Sequence, residues 1–272
     1  MTTVRIGDVA LYVRDTGDGT PVVLLHGWPD TGDLWARQSR TLVAAGYRTI
    51  VPDLRGFGAS DQPAEVSAYA APAQVGDVVG IMDALGVDRA HLVGHDWGAA
   101  IAWMTAAYVP DRVRSVTALS VGHPEAFGTT GWRQRQLSWY MLLFQFPGVA
   151  EEWLSAGGFA NLREWSGHPQ IDAVIERLSR PGALTASLSI YRAILPPESL
   201  VSPPMALPPV TAPAMGVWSD GDFALSEESM TRSAKFVAGP WRYERVTGAG
   251  HWLQLDAPDT VDALLLDFLH DA

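Results

Sequence analysis

The 272-residue chain predicts an α/β fold with a mostly parallel sheet and one helical insertion. Three observations lead there. Short apolar runs alternate with segments of helical periodicity from Val22 onward, the order that generates a parallel sheet with covering helices. Strand signals then vanish from Gly122 to about Leu207, and they resume at Ala214. One domain with an insertion accounts for this length and order.

Taken in order, Val4 to Ile6 and Val9 to Val13 flank Gly7-Asp8 and read as a hairpin. Val22 to Leu25 and Thr49 to Val51 are apolar enough to be strands buried on both faces. Val75, Val78, Val79, Met82 and Leu85 recur at helical spacing. Ala90 to Val93 reads as a further strand, Ala99 to Met104 as the helix after it, and Val116 to Val121 as the next strand. The insertion is helical and rich in aromatic residues, especially from Trp132 to Trp153. It closes on a proline-dense run, Pro196-Pro197, Pro203-Pro204, Pro208-Pro209 and Pro213, which suits a stiff connector. Ala214 to Trp218 and Arg242 to Val246 are the last strands, and Val261 to Leu269 an amphipathic closing helix. The expected division is a core of residues 1–121 and 208–272 with a helical cap over 122–207.

A net charge of −11 and the lack of a basic stripe argue against a nucleic-acid partner. The chain has no cysteine, which excludes disulfides, thiolate metal sites and a cysteine nucleophile. No stretch approaches the roughly 18 apolar residues of a membrane span, and the N-terminus carries no apolar leader; the expectation is a cytoplasmic protein with no membrane partner. Lys235 is the single lysine among 19 basic residues, a bias that hints at a GC-rich, bacterial source.

The chemistry is concentrated in Gly94-His95-Asp96-Trp97-Gly98, a nucleophile-elbow spacing with aspartate where serine usually stands. Asp96 falls between a strand and a helix. An aspartate there can serve as an N-cap, and the same position keeps a carboxylate ionised at a sheet's carboxyl edge, where it is a usable nucleophile. His251, in Gly248-Ala249-Gly250-His251-Trp252, follows the last strand and suits a general base. Asp220 and Asp222 both lie just past the strand ending at Trp218; Asp222 is the preferred partner for the imidazole and Asp220 the alternative. His26-Gly27-Trp28-Pro29 follows Val22 to Leu25, so the backbone N–H groups of Trp28 and Trp97 can form an oxyanion hole, each donor worth roughly 3 kcal/mol to a developing oxyanion. His91, His95, His123, His168 and His270 have no second ligand at metal spacing, and neither metal nor organic cofactor is expected.

Together, His26-Gly27-Trp28-Pro29, Gly94-His95-Asp96-Trp97-Gly98 and Gly250-His251-Trp252 resemble the soluble epoxide hydrolases of the α/β-hydrolase superfamily over nearly the whole chain. The resemblance implies an α/β-hydrolase fold and a capped active site that takes a small, apolar or aromatic epoxide and water. Asp53-Leu54-Arg55-Gly56-Phe57-Gly58-Ala59-Ser60 resembles a structural loop of the superfamily. Within the insertion, the segments Tyr140 to Glu151 and Leu184 to Ala193 resemble those that carry the two ring-opening tyrosines, which implies that role for Tyr140 and Tyr191. Ser219 departs from the glycine usual after the strand tryptophan.

Haloalkane and haloacid dehalogenases share the aspartate nucleophile and form the alternative; a non-catalytic ligand-binding protein on the same fold is the third reading. The leaving group separates the first two. An alkoxide is a strong base and needs a donated proton, which neutral phenols supply, whereas a halide needs only N–H donors. Trp97 could be one such donor, but Trp28 stands where many haloalkane dehalogenases carry asparagine, so a halide site would need Trp139 or Trp153. Trp132, Trp139, Phe144, Phe146, Trp153, Phe159 and Trp165 are the aromatic residues expected to line the pocket or fill the cap core.

Overall fold

Residues 2–200, 202–203 and 205–272 are described by the computed structural model. Met1, Val201 and Pro204, the last being one member of the proline run, lie outside the described residues. The initial hairpin forms from β1 (Thr2–Ile6) and β2 (Val9–Thr16), turning at Gly7, whose φ of 58° favours glycine. After it come β3 (Thr20–Leu25), α1 (Ala36–Ala44), β4 (Tyr47–Pro52), α2 (Ala71–Ala84), β5 (Ala90–His95), α3 (Trp97–Tyr108) and β6 (Val113–Leu119). The insertion follows as α4 (Pro124–Gly128), α5 (Trp132–Leu137), α6 (Trp139–Leu143), α7 (Val149–Ser166), α8 (Ile171–Leu178) and α9 (Ala183–Ile194). The chain closes with β7 (Ala214–Ser219), α10 (Glu227–Arg232), β8 (Trp241–Val246), α11 (Leu253–Asp256) and α12 (Pro258–Asp271).

The eight strands form one sheet in the order β1-β2-β4-β3-β5-β6-β7-β8. β2 runs antiparallel to β1 and β4, and every other pairing is parallel. Because successive side chains point to opposite faces, Val22 and Leu24 join Leu42, Leu265 and Phe268 under α1 and α12, while Val23 and Leu25 join Val78, Ile81 and Ile101 under α2 and α3. The parallel run from β3 through β8 brings the ends of β3, β5, β7 and β8 to one edge, the place where open α/β sheets bind ligands.

Two sequence expectations are corrected in detail. The strand expected over Val116 to Val121 begins at Val113 and stops at Leu119, because Ser120 takes a left-handed φ of 67°. The helical stretch expected from Trp132 to Trp153 is three helices, and α7 is itself broken where Gly157, Gly158 and Phe159 take φ values of 58°, 68° and 65°. Paired glycines permit that excursion at no steric cost; Phe159 is carried into it while staying buried.

The Asp53 to Ser60 loop is tied to the core by buried carboxylate contacts. Asp53 accepts the Gly32 and Ala59 N–H groups and pairs with Arg14. Arg55 grips Asp77 of α2 through two bonds of 2.6 and 2.5 Å and also donates to the Ala68 carbonyl. Both side chains of this fork are buried, so Asp77→Ala, which strands the guanidinium, is expected to cost about 3–5 kcal/mol of folding stability. Urea denaturation of the variant reads this directly; an unchanged midpoint would show that water rescues Arg55.

Candidate active site

The elbow is a forced geometry. Asp96 has φ 53° and ψ −121°, a conformation that side-chain-bearing residues rarely adopt, and its carbonyl accepts the Ala99 and Ala100 N–H groups that start α3. A Cβ on Gly94 would lie 2.2 Å from the Gly98 carbonyl oxygen, one on Gly98 2.1 Å from that of Leu25, and one on Gly27 2.4 Å from the Asp96 carboxylate. Glycine at these positions is therefore a condition for the turn and for the approach of the His26–Pro29 loop. That loop is fixed by His26, whose Nε2 accepts the Leu54 N–H while Nδ1 meets the Gly27 carbonyl.

The Trp28 N–H donates to Asp96 Oδ1 at 2.8 Å, and the Trp97 N–H also supports the carboxylate. Burial pushes the Asp96 carboxyl above the usual range; His251 and the two backbone donors oppose it. His251 stands on the other side, with Nε2 3.8 Å from Asp96 Oδ2 and Nδ1 donating to Asp222 Oδ2 at 3.0 Å. Asp222 is fixed in turn, since its Oδ1 accepts the Ala224 and Leu225 N–H groups at 2.8 and 2.9 Å. Asp220 turns elsewhere: it accepts the Gly248 N–H and faces Arg245. Burial drags the His251 pKa down, but Asp222, Asp96 and Asp30 outweigh it and leave the imidazole more basic than an ordinary histidine.

The backbone of His251 is held as firmly as its ring. Its carbonyl accepts both the Ser120 hydroxyl and the His95 Nε2–H at 2.9 Å, and the Ser219 hydroxyl donates to the Gly250 carbonyl at 2.6 Å. The serine that stands in place of the usual glycine thus ties β7 to the histidine loop. His95, buried against His251, is depressed to about 3 by loss of solvent and by its neighbour, so it stays neutral and donates.

Tyr140 of α6 and Tyr191 of α9 close the site from the insertion. Their rings lie 6.2 Å apart, Tyr191 meets Trp97 edge-on at 5.0 Å, and both phenols are buried. Burial, reinforced by the Asp96 charge, raises both pKa values well above those of free phenols, which keeps them protonated as donors. With Asp96 and His251 they face a cavity walled by Trp28, Trp165, Phe223, Ala224 and Trp252. A second pocket is lined in part by Asp30, Gln62, Arg177 and Ser187. The Trp28 indole N–H donates to Ser187 Oγ, and neither Asp96 nor His251 lines that pocket.

Comparison with known proteins identifies the family. The model of the α/β hydrolase fold family matches residues 20–258. An epoxide hydrolase A of Mycobacterium tuberculosis is 32% identical across 96% of this chain and 94% of its own. The chain belongs to the epoxide hydrolase family of the α/β-hydrolase superfamily. A solved epoxide hydrolase from hot-environment metagenomes superposes with a TM-score of 0.87 at 29% identity, covering 98% of this chain and 97% of that one. A mutant epoxide hydrolase of Bacillus megaterium, solved with a naphthyloxy-propane-1,2-diol product, gives 0.88 at 26% identity over 99% and 100% of the two chains.

In this epoxide hydrolase the cavity wall differs from the one expected from sequence. Trp165 lines the cavity and Phe144 is buried beside Tyr140, but Trp132 is 70% and Phe146 53% exposed. Trp139 and Trp153 pack on each other and on Trp165, outside the cavity lining. Phe223 and the ring of Trp252 were not anticipated as walls; their adjacency to Asp222 and His251 is the one sequence signal that could have pointed to them. His168 is buried and bonded to Asp30. Among the described residues no helix is long and apolar enough to cross a membrane.

Proposed function

We propose that the enzyme adds water to a small apolar or aromatic epoxide through a hydroxyalkyl ester on Asp96. Asp96 Oδ2, the oxygen not held by Trp28, attacks an epoxide carbon in line while Tyr140 and Tyr191 hydrogen-bond the ring oxygen. One phenol gives its proton to the departing alkoxide. His251, oriented by Asp222, then takes a proton from water as that water attacks the ester carbonyl. The Trp28 and Trp97 N–H groups, already gathered on the carboxylate, stabilise the tetrahedral oxyanion; as it collapses, His251 gives its proton to the departing alkoxide, the proton of the water-derived carboxyl returns to the phenolate, and the vicinal diol leaves with Asp96 ionised again. The target is a saturated carbon, so a carboxylate nucleophile yields a hydrolysable ester where serine would leave an inert ether. The inserted helices, over the span 122–207, act as the cap that carries the two acids.

The observation that carries this reading is the pair of buried phenols facing the same cavity as the nucleophile. The aromatic walls and the aryloxy diol bound by the Bacillus megaterium relative support an aryl-bearing epoxide. A halide site lacks such support, because the Trp28 indole is engaged by Ser187 and neither Trp139 nor Trp153 lines the cavity. Incubation with a styrene-type epoxide and, separately, a chloroalkane tests the choice. Diol without halide release is expected; halide release that persists without Tyr140 and Tyr191 would make the protein a dehalogenase.

The ester step also has a signed pH dependence. In the free enzyme the Asp96 carboxylate helps to raise the His251 pKa. Esterification removes that charge, so His251 becomes less basic in the intermediate. Ester hydrolysis, followed in single turnovers, should rise with pH through a limb lying below the His251 pKa measured in the free enzyme. A limb above that value would remove His251 from the role of base.

A further inference from the structure

Asp30 takes no part in the reaction described above, yet the residue is 2% exposed and its carboxylate is surrounded by donors. It stands two residues after Trp28. The Trp252 indole N–H donates to Oδ2 at 2.9 Å, and His168 Nε2 lies 3.2 Å from both carboxylate oxygens. The Arg177 guanidinium comes within 3.6 Å of Oδ1. Because His168 Nδ1 accepts the Gln170 N–H at 2.9 Å, the ring's proton sits on Nε2 and points at Asp30.

These donors come from two separate parts of the molecule. Trp252 belongs to the core and follows His251 directly, whereas His168 lies between α7 and α8 and Arg177 on α8, both in the insertion. The rings repeat the connection: His168 packs against Trp252 at 4.2 Å, and Trp252 against His251 at 4.9 Å. Apolar side chains could hold two layers together with no buried charge to compensate. A buried carboxylate shared by both layers does something further, since its energy depends steeply on whether both sets of donors are in place.

We infer that His168 is a positioning residue which, through Asp30 and Trp252, couples the seating of the inserted helices to the aim of His251 at Asp96. The inference rests on the reading of His251 as the base of ester hydrolysis. When the insertion is seated, Asp30 is fully paired and Trp252 is anchored on its indole N–H, which fixes the neighbouring imidazole. When it lifts, Asp30 loses His168 and Arg177 and opens to water, and the anchor of Trp252 loosens. Hydrolysis of the ester is thereby confined to the closed enzyme. The charged and titratable groups facing His251 are Asp222, Asp96, Asp30 and His95. Burial works against the Asp30 charge, but His168 and Arg177 together hold its pKa below the ordinary carboxylate range.

The test is single-turnover kinetics of the whole protein with a styrene-type epoxide, following ester formation and ester decay separately. His168→Leu is expected to slow decay by about tenfold, the loss of one charge-assisted hydrogen bond, with formation close to wild type. His168→Gln, which keeps a donor toward Asp30, should recover most of the rate. Should His168→Leu fail to fold, Arg177→Gln, which removes the insertion's other charged partner of Asp30, is expected to give the same selective slowing to a smaller extent. Decay at the wild-type rate, equal slowing of both steps, or no recovery in His168→Gln overturns the coupling and leaves the reaction standing. A wild type that forms no ester at all defeats the reaction itself.

Discussion

The combined substitution Tyr140→Phe and Tyr191→Phe is expected to abolish ring opening, lowering the rate of ester formation by about 10⁴-fold or more as both general acids are lost. The leaving oxygen of an epoxide departs as an alkoxide, far more basic than any group left in the cavity once both hydroxyls are gone. Water cannot replace them easily, since Trp28, Trp165 and Phe223 wall the space with carbon. Each ring meets Phe144 at close to 5 Å, contacts that phenylalanine preserves, so the fold should stand. Each single variant retains one donor and should lose far less. The check is single-turnover ester formation in the folded double variant, and diol formation near the wild-type rate would remove the tyrosines from the mechanism.

A second large effect should separate two neighbouring carboxylates. Asp222→Ala removes the group that orients Nδ1 of His251 and makes it more basic, and ester hydrolysis should fall by about 10³–10⁴-fold, as when the acid of a triad is lost. Formation of the ester, which needs no base, should be spared, so the intermediate accumulates. Asp220→Ala loses one bond to the Gly248 N–H, worth about 1 kcal/mol, and should slow the same step by less than about tenfold. Single-turnover decay of the two variants decides, and the reverse order would move the orienting role to Asp220.

What the sequence discloses and what it hides divides along the range of the interactions. The elbow is local: a short apolar run, glycines two residues either side of Asp96 and a helix-forming segment specify the β5–Asp96–α3 turn within about a dozen residues, and the clashes at Gly94 and Gly98 explain why. The two acids just past β7 are different. Asp220 and Asp222 sit in the same loop, and they part because the Ala224 and Leu225 N–H groups capture one carboxylate while Gly248, on another strand's loop, captures the other. The insertion was least legible. Its aromatic content is plain, but α5 and α6 are only six and five residues long, too short for periodicity to reveal which face is buried. Trp132 and Phe146 therefore could not be told from Phe144 and Trp165. The junction at Asp30 joins residues 138 and 222 positions apart, and no local pattern announces it.

The central claim is a covalent ester on Asp96, and intact mass of His251→Gln after mixing with a styrene-type epoxide tests it most directly. Without the base, the protein should gain the whole mass of the epoxide, and peptide mapping should locate the addition on Asp96. No adduct under conditions where the wild type makes diol, or an adduct that appears only with a chloroalkane and lacks the chlorine, would contradict the account.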